Sequence, residues 1–286
     1  MRTEKMIEVC RTLKEYGCRS FHIGGGEPFI DFESLLTLAK IARETGIIIE
    51  YVETNAYWVR AMDDEDVLRK LSALQSVGID ALCISADEYH AEFIDPALPL
   101  KLAEICRKVG FEHFLWQTQL NRLRFNGRAI TLQKDFPRRP VQELLTYHAD
   151  GCRGLTSVGH FHVDLHGRYI PPGCTGIVLP LEEVLNGTLD VRSANWPGGH
   201  RAMAADSRFV AFNALYSGGV SALYALAKER GFVEDSEGYP APCTLCFYIR
   251  AFLSELPDFP ELDAAHYKHA LEDVYNFSNN RILKKS

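Results

Sequence analysis

Residues 21–28 read FHIGGGEP. A short apolar run with β character, Phe21 and Ile23, ends in three glycines, an acid and a proline. Directly after it, Phe32, Leu35, Leu36, Leu38, Ala39 and Ala42 recur at the three- and four-residue steps of a helix over 31–45. A strand therefore passes into a helix across a loop with almost no side chains. Glycine permits backbone angles closed to other residues and lets a ligand approach the main chain. Pro28 fixes the exit from the turn and biases Glu27 towards an extended conformation. The expectation is one carboxylate, Glu27, at the carboxyl end of a strand beside exposed N–H and C=O groups, which suits a ligand with an ammonium group. The plainer alternative is a tight βα turn whose glycines only allow close packing. A phosphate-binding turn is disfavoured, because there is no GxGxxG or GK[ST] and an acid stands where the anion would sit.

Outward from this loop the same rhythm repeats. Residues 2–17 predict a helix stopped by Gly17, and 47–53 (IIIEYVE) predict a strand buried on both faces and ending in Thr54-Asn55. A helix over 63–77 closes at Gly78, and a strand over 80–85 ends in Ser85, Asp87 and His90. A helix over 97–109 closes at Gly110, and a strand over 111–119 carries Gln117 and Gln119 at its end. Phe111, Phe114 and Trp116 are expected in the core. Strand–helix alternation of this kind predicts an α/β fold with a parallel sheet and helical crossovers. Ligand groups in such folds collect at the carboxyl ends of the strands. Asp87 and His90 fit an acid/base pair or simply a polar loop.

After about 122 the rhythm fails. Residues 127–132 can form one more strand, and PRRP at 137–140 breaks the chain. The stretch 160–173 (HFHVDLHGRYIPPG) predicts a hairpin turning at His166-Gly167, with His160, His162 and His166 on its surface. Helical segments are expected at 181–186, 206–230 and 245–256. The boundary is placed near 150, giving an α/β domain over 1–150 and a smaller α+β region over 151–286.

Composition narrows the function classes. The 286 residues are 47% hydrophobic and 24% charged, with 31 Lys+Arg against 38 Asp+Glu and a net charge of −7. No basic run or basic-aromatic patch suits a nucleic-acid backbone. No apolar stretch approaches the roughly 20 residues that span a bilayer, and the N-terminus lacks an apolar signal region. A cytoplasmic protein without a nucleic-acid or membrane partner is expected.

Eight cysteines in such a chain argue for reduced thiols or metal ligands rather than disulfides. Cys10, Cys18, Cys83 and Cys106 are scattered through apparent helices and strands. Cys152 and Cys174 bracket the hairpin with 21 residues between them, and Cys243 and Cys246 form a CxxC that opens a helix. A CxxC directs two thiolates to one centre, and a hairpin with a cysteine at each foot presents a second pair. Four sulfur ligands suit zinc or a 4Fe–4S cluster.

The order Gly25-Gly26-Glu27-Pro28 after a strand resembles the GGEP motif of radical S-adenosylmethionine (radical SAM) enzymes, and the element order resembles that family over residues 1–120. The resemblance implies a partial (βα) barrel of radical SAM type missing its first strand, followed by a small cysteine-bearing α+β region. It implies S-adenosylmethionine as cofactor, with its methionine amine held by the loop Gly25, Gly26, Glu27 and Pro28, and with Thr54, Asn55, Ser85 and Asp87 lining the cleft. The spacing of Cys152, Gly167, Cys174, Cys243 and Cys246 resembles the Twitch-type relative of the SPASM extension, which carries an auxiliary 4Fe–4S cluster. Six residues separate Gly167 from Cys174, where the common pattern has four.

The CxxxCxxC loop that holds the working cluster of that family does not occur in this sequence. Cys10 and Cys18, with seven residues between them, do not replace it. The first strand and cluster loop are expected to be missing as a block, so that this polypeptide alone does not cleave S-adenosylmethionine. A complete enzyme of this type implies a small-molecule or peptide substrate and a reductase or flavodoxin-type electron donor. The competing expectation is a non-catalytic binding or scaffold protein with a structural zinc at the four cysteines.

Overall fold

In the computed structural model of the chain, the described residues are 1–91, 93–117, 130–131, 133, 136–146, 151–152, 155, 161–171, 173–186 and 206–285. The chain divides into two compact units, Met1–Arg122 and Leu123–Ser286. That division falls upstream of the boundary read near 150, and 147–150 lie outside the described residues.

The first unit is α/β with a parallel four-stranded sheet. Its elements run α1 (Thr3–Glu15), β1 (Ser20–Ile23), α2 (Phe32–Glu44), β2 (Ile48–Thr54), α3 (Asp64–Ser76), β3 (Ala81–Ser85), a one-turn α4 (Glu88–Ala91), α5 (Ala97–Val109) and β4 (Glu112–Trp116). The strands lie in chain order, β1-β2-β3-β4, and every neighbouring pair is parallel. Each crossover contains an amphipathic helix whose apolar stripe is buried: Leu35, Ala39 and Ala42 from α2, Val67, Leu71 and Leu74 from α3, and Leu102, Ala103 and Cys106 from α5. Val52, Leu82 and Ile84 of the strands are buried with them. Burial of a side chain of this size contributes about 1.5–3 kcal/mol, so these stripes outweigh the intrinsic propensities of the helices.

Strand β2 departs from the run buried on both faces that IIIEYVE suggested. Its register with β1 slips between Phe21↔Ile49 and Ile23↔Val52, so two residues of β2 oppose His22 alone. A bulge of this kind reverses the in–out parity of a strand. Ile49 before it and Val52 and Thr54 after it are buried, while Ile48 is 67% exposed. As a result Tyr51 and Glu53 share a sheet face with Cys83, Ser85, Phe114 and Trp116, their partners across the ladder. Phe114 and Trp116 are therefore not core residues. They are 41% and 56% exposed, whereas Phe111, which precedes β4, is buried.

The second unit opens with a short helix α6 (Val141–Leu144). A three-stranded antiparallel sheet follows, built from β5 (His162–Val163), β6 (Arg168–Ile170) and β7 (Leu179–Pro180). The hairpin turn falls at Asp164–Gly167, where the Asp164 carboxylate accepts the His166 and Arg168 amides. Strand β7 has too little sequence to be read in advance. Ile130 and Thr131 stand in a helical turn rather than a strand, and 127–129 and 132, like His160 and Gln119, lie outside the described residues. The helices are α7 (Leu181–Asn186), α8 (Val210–Lys228), α9 (Pro242–Leu253) and α10 (Ala264–Lys285).

Helix α8 is long and apolar enough, by length and composition, to cross a membrane. Within this unit it packs against α9, bends at the non-helical Gly219, and buries Phe212, Leu215, Val220 and Leu223. Its first turn is capped by the buried Glu261, whose Oε1 accepts the Ala211 and Phe212 amides at 2.7 and 3.2 Å. A carboxylate at a helix N-terminus satisfies orphan amides and meets the positive end of the dipole. Helix α10 was not legible in sequence, because its polar composition leaves only a weak apolar stripe.

Candidate ligand cavity and four-cysteine cluster

The carboxyl ends of β1, β2 and β3 converge on a cavity of about 330 Å³, near the small end of the roughly 300–1,000 Å³ usual for small-molecule sites. Gly25, Gly26, Thr54, Asn55 and Ser85 line it, together with Tyr51, Glu53, Cys83, His90, Phe114 and Trp116. Glu27, Pro28 and Asp87 do not.

The Glu27 carboxylate is committed to the loops themselves. It accepts the Phe29 amide at 3.1 Å, the Asn55 amide at 2.8 Å and the Thr54 hydroxyl at 3.0 Å. Glu27 thus caps the 3-10 turn Pro28–Asp31 and ties the glycine loop after β1 to the loop after β2. Burial raises its pKa, opposed by the hydrogen bonds from Asn55, Phe29 and Thr54. Thr54 Oγ1 also accepts from Trp58 Nε1 and from the Ala56 amide, both at 3.0 Å. That second bond helps to hold Ala56 in the left-handed region, at φ 62°, a conformation costing about 1–2 kcal/mol for a residue with a Cβ. Trp58 stacks on Phe29 with ring centroids 4.3 Å apart, closing the knot with an apolar clasp.

The acid that faces the cavity is Glu53. Its Oε1 stands 3.6 Å from His22 Nε2. A Cβ on Gly24 would lie 2.5 Å from Glu53 Oε2, so the first glycine of the loop is what makes room for this carboxylate. Gly25, at φ +104°, takes a turn closed to other residues. Tyr51 stacks on His22 and meets Phe114 edge to face at 5.2 Å, forming an aromatic wall beside the acid. No Lys or Arg is among the lining residues. One carboxylate and π faces are groups that attract a cation. The usable signal in the sequence was an acid one residue before the end of a β-branched strand.

Asp87 acts through His90. Its Oδ1 accepts the His90 amide at 3.0 Å and lies 2.8 Å from His90 Nδ1. A proton on Nδ1 in that bond leaves Nε2 as the free acceptor of the ring.

In the second unit Cys152, Cys174, Cys243 and Cys246 fall in one neighbourhood. Cys174 is hydrogen-bonded with Cys152 and feels Cys246, and Cys246 feels Cys152 and Cys243. Cys243 and Cys246 sit one turn apart at the start of α9, whose first position is Pro242. The Cys152 amide donates to the Leu215 carbonyl of α8. Among the described residues no group of three or more His, Cys, Asp or Glu side chains is placed to hold a metal ion.

Arg250, fully buried one turn after Cys246, donates to the Thr175 carbonyl and Tyr267 hydroxyl, both at 2.8 Å. Thr175 Oγ1, Thr244 Oγ1 and His266 Nε2 are buried without a hydrogen-bond partner. Thr175 and Thr244 neighbour Cys174 and Cys243 in sequence, and His266 precedes Tyr267. Gly176 lets this turn lie against α10: a Cβ there would meet the Tyr267 ring at 2.5 Å. Sequence reasoning missed Arg250, although a lone charge inside PCTLCFYIRAFL was a visible signal. His162 and His166 belong to the hairpin. No family model matches the chain, and no curated protein matches it in sequence.

Proposed function

We infer that this chain is a radical SAM-type protein: a partial (βα) barrel whose strand-end cavity takes S-adenosylmethionine, followed by a region whose four cysteines hold an auxiliary 4Fe–4S cluster. One observation carries the inference. The glycine loop, Thr54-Asn55 and Ser85 line a single cavity at the carboxyl ends of parallel strands, and its lining among the described residues includes a carboxylate but no Lys or Arg. S-adenosylmethionine offers a primary ammonium and a sulfonium for the carboxylate and π faces, and an adenine for the aromatic wall.

The chain's own residues bind and orient. Glu53 attracts the cationic end, the exposed loop Gly24–Gly26 offers backbone groups, and Glu27 fixes the loop from behind. In a complete enzyme of this type, a bound cluster would supply reducing power to cleave a carbon–sulfur bond of the sulfonium. With no CxxxCxxC in this sequence, the activity assigned to the polypeptide is binding, with cleavage, a peptide or small-molecule substrate and a reductase partner belonging to the complete enzyme.

Calorimetric titration of the full chain tests this. S-adenosylmethionine should bind, and S-adenosylhomocysteine, which lacks the sulfonium charge, should bind at least about tenfold more weakly. Absence of any heat or fluorescence change up to about 1 mM ligand, the limit of weak specific binding, overturns the cavity assignment. Iron and sulfide analysis after anaerobic purification tests the cysteines. Zinc without iron would instead support a scaffold with a structural metal.

A further inference from the structure

We propose that His90, oriented by the buried Asp87, is a ligand-binding acceptor of the strand-end cavity: its Nε2 takes an N–H or O–H of the bound molecule while Glu53 takes the cationic end. This rests on the cavity being the ligand site inferred above.

His90 is held at both ends of its backbone. Its amide donates to Asp87 Oδ1 at 3.0 Å, and its carbonyl accepts the Phe93 and Ile94 amides at 3.0 and 2.9 Å. Ile94 is buried, and the Ala86 amide donates to the Trp116 carbonyl at 2.9 Å, so the loop after β3 is also tied to β4. The ring is fixed in turn by the 2.8 Å contact of Nδ1 with Asp87 Oδ1. That oxygen already accepts the His90 amide, so it meets Nδ1 as an acceptor and the proton lies on Nδ1. The Asp87 side chain is 3% exposed and that of His90 42%. The acid is thus a positioning residue behind a ring that lines the cavity.

Other polar side chains of the lining are engaged by the protein. Thr54 Oγ1 accepts from Trp58 Nε1 and the Ala56 amide, and Asn55 Oδ1 accepts the Tyr57 amide at 2.9 Å. Among the described lining residues, Glu53 and His90 keep strong acceptor atoms for a ligand, besides the hydroxyls of Tyr51 and Ser85. The two ask for different partners. A carboxylate attracts charge, whereas a bare ring nitrogen accepts a neutral donor and, once protonated, becomes a second cation beside the bound one. The fitting ligand carries an ammonium or sulfonium centre and a separate hydroxyl or amino donor. His22 stands 3.6 Å from Glu53 Oε1, and its protonated form would pair with Glu53 in the ligand's place. Tyr51 of β2 and Cys83 of β3 stay neutral below pH 8, because burial raises both.

The test uses the full chain. Nitrogen-15 spectra of the histidine rings at about pH 8, assigned by difference with H90Q, should show His90 protonated on Nδ1 and bare on Nε2, and D87N should populate the opposite tautomer. A proton on Nε2 in wild type overturns the proposal. Calorimetric titration with S-adenosylmethionine then reads the role in binding. At about pH 8, H90L should bind at least about fivefold more weakly than wild type, the loss of one hydrogen bond, while H90Q, whose amide oxygen can stand in for Nε2, should stay within about threefold. Between about pH 8 and about pH 5.5 wild type should lose at least about tenfold in affinity, and H90Q should lose at least about threefold less, its remaining loss belonging to His22. Wild-type affinity in H90L, or the full wild-type pH dependence in H90Q, overturns the role of His90 alone. No binding to wild type up to about 1 mM ligand overturns the cavity assignment, and this proposal with it.

Discussion

The Asn55 amide donates to the Glu27 carboxylate at 2.8 Å, across 28 residues of sequence and between the loops that follow β1 and β2. The same carboxylate takes the Thr54 hydroxyl and the Phe29 amide, so one acid fixes both loops that line the cavity. Replacing it leaves buried donors unpaired, which costs about 1–3 kcal/mol. Glu27→Ala should therefore destabilise the first unit by about 2 kcal/mol in urea titrations, and Glu27→Gln by less. Because burial raises the pKa of Glu27, the folded state holds its proton to higher pH than the unfolded chain does. Its contribution is full below the ordinary value of 4.5 and is lost as pH rises through the raised value. The advantage of wild type over Glu27→Gln should shrink over that window. An advantage that widens as pH rises would show that the bonds, not burial, control this acid.

Glu53 and Gly24 separate binding from stability. Glu53→Gln removes the carboxylate that faces the cavity and should weaken a cationic ligand about tenfold, roughly 1.4 kcal/mol, with little change in melting temperature. Gly24→Ala acts on the same group from the other side. The new Cβ would meet Glu53 Oε2 at 2.5 Å, and a flexible carboxylate end can move away. A loss of affinity without loss of stability is expected for both variants, measured by calorimetry and thermal melting. If Gly24→Ala binds as wild type does, Glu53 is not positioned by the loop.

The helices of the first unit and the direction of its strands were legible because apolar periodicity and closing glycines agree over 3–116. What the sequence hid was orientation. IIIEYVE carries no mark of the bulge opposite His22, so the placement of Tyr51 and Glu53 on the cavity face could not be read. Phe114 and Trp116 look like core residues because periodicity counts apolar side chains and does not say which sheet face they take. Glu27 adjoins the glycines and Glu53 does not, yet three-dimensional register gives the cavity to Glu53. In the second unit the cysteine spacing was visible, while Arg250 was hidden inside an apolar helical stripe.

The eight thiols should differ in reactivity by their surroundings. Burial raises Cys10, Cys83 and Cys106 to about 11, so at pH 8 only on the order of one thiol in a thousand is the reactive thiolate. Cys243 is exposed, whereas Cys174 and Cys246 are buried. Mass spectrometry after timed iodoacetamide treatment of the native, metal-free chain should find Cys243 modified first, at least about tenfold ahead of these five, the gap set by access and thiolate fraction. Comparable early labelling of Cys246 would mean that the cluster region is open.

Asp263 joins three pieces of the cysteine-bearing unit. Its carboxylate accepts the His266 amide at 3.1 Å in the first turn of α10 and Arg168 Nη2 at 2.8 Å from the hairpin, while its own amide donates to the Gly176 carbonyl beside Cys174. Burial alone would raise its pKa, but the His266 amide and the Arg168 guanidinium outweigh that and hold it below 3.8. Its contribution is therefore present above 3.8 and is lost as pH falls through the lowered value. The pair is partly exposed, so Asp263→Asn at pH 7 should cost only about 1 kcal/mol. Hydrogen exchange localises the effect: the His266 and Tyr267 amides should exchange about fivefold faster in the variant at pH 7, the factor that this free energy implies. The difference should close when the wild-type carboxylate takes up its proton. A gap that persists unchanged through acid would mean that Asp263 acts by shape rather than by charge.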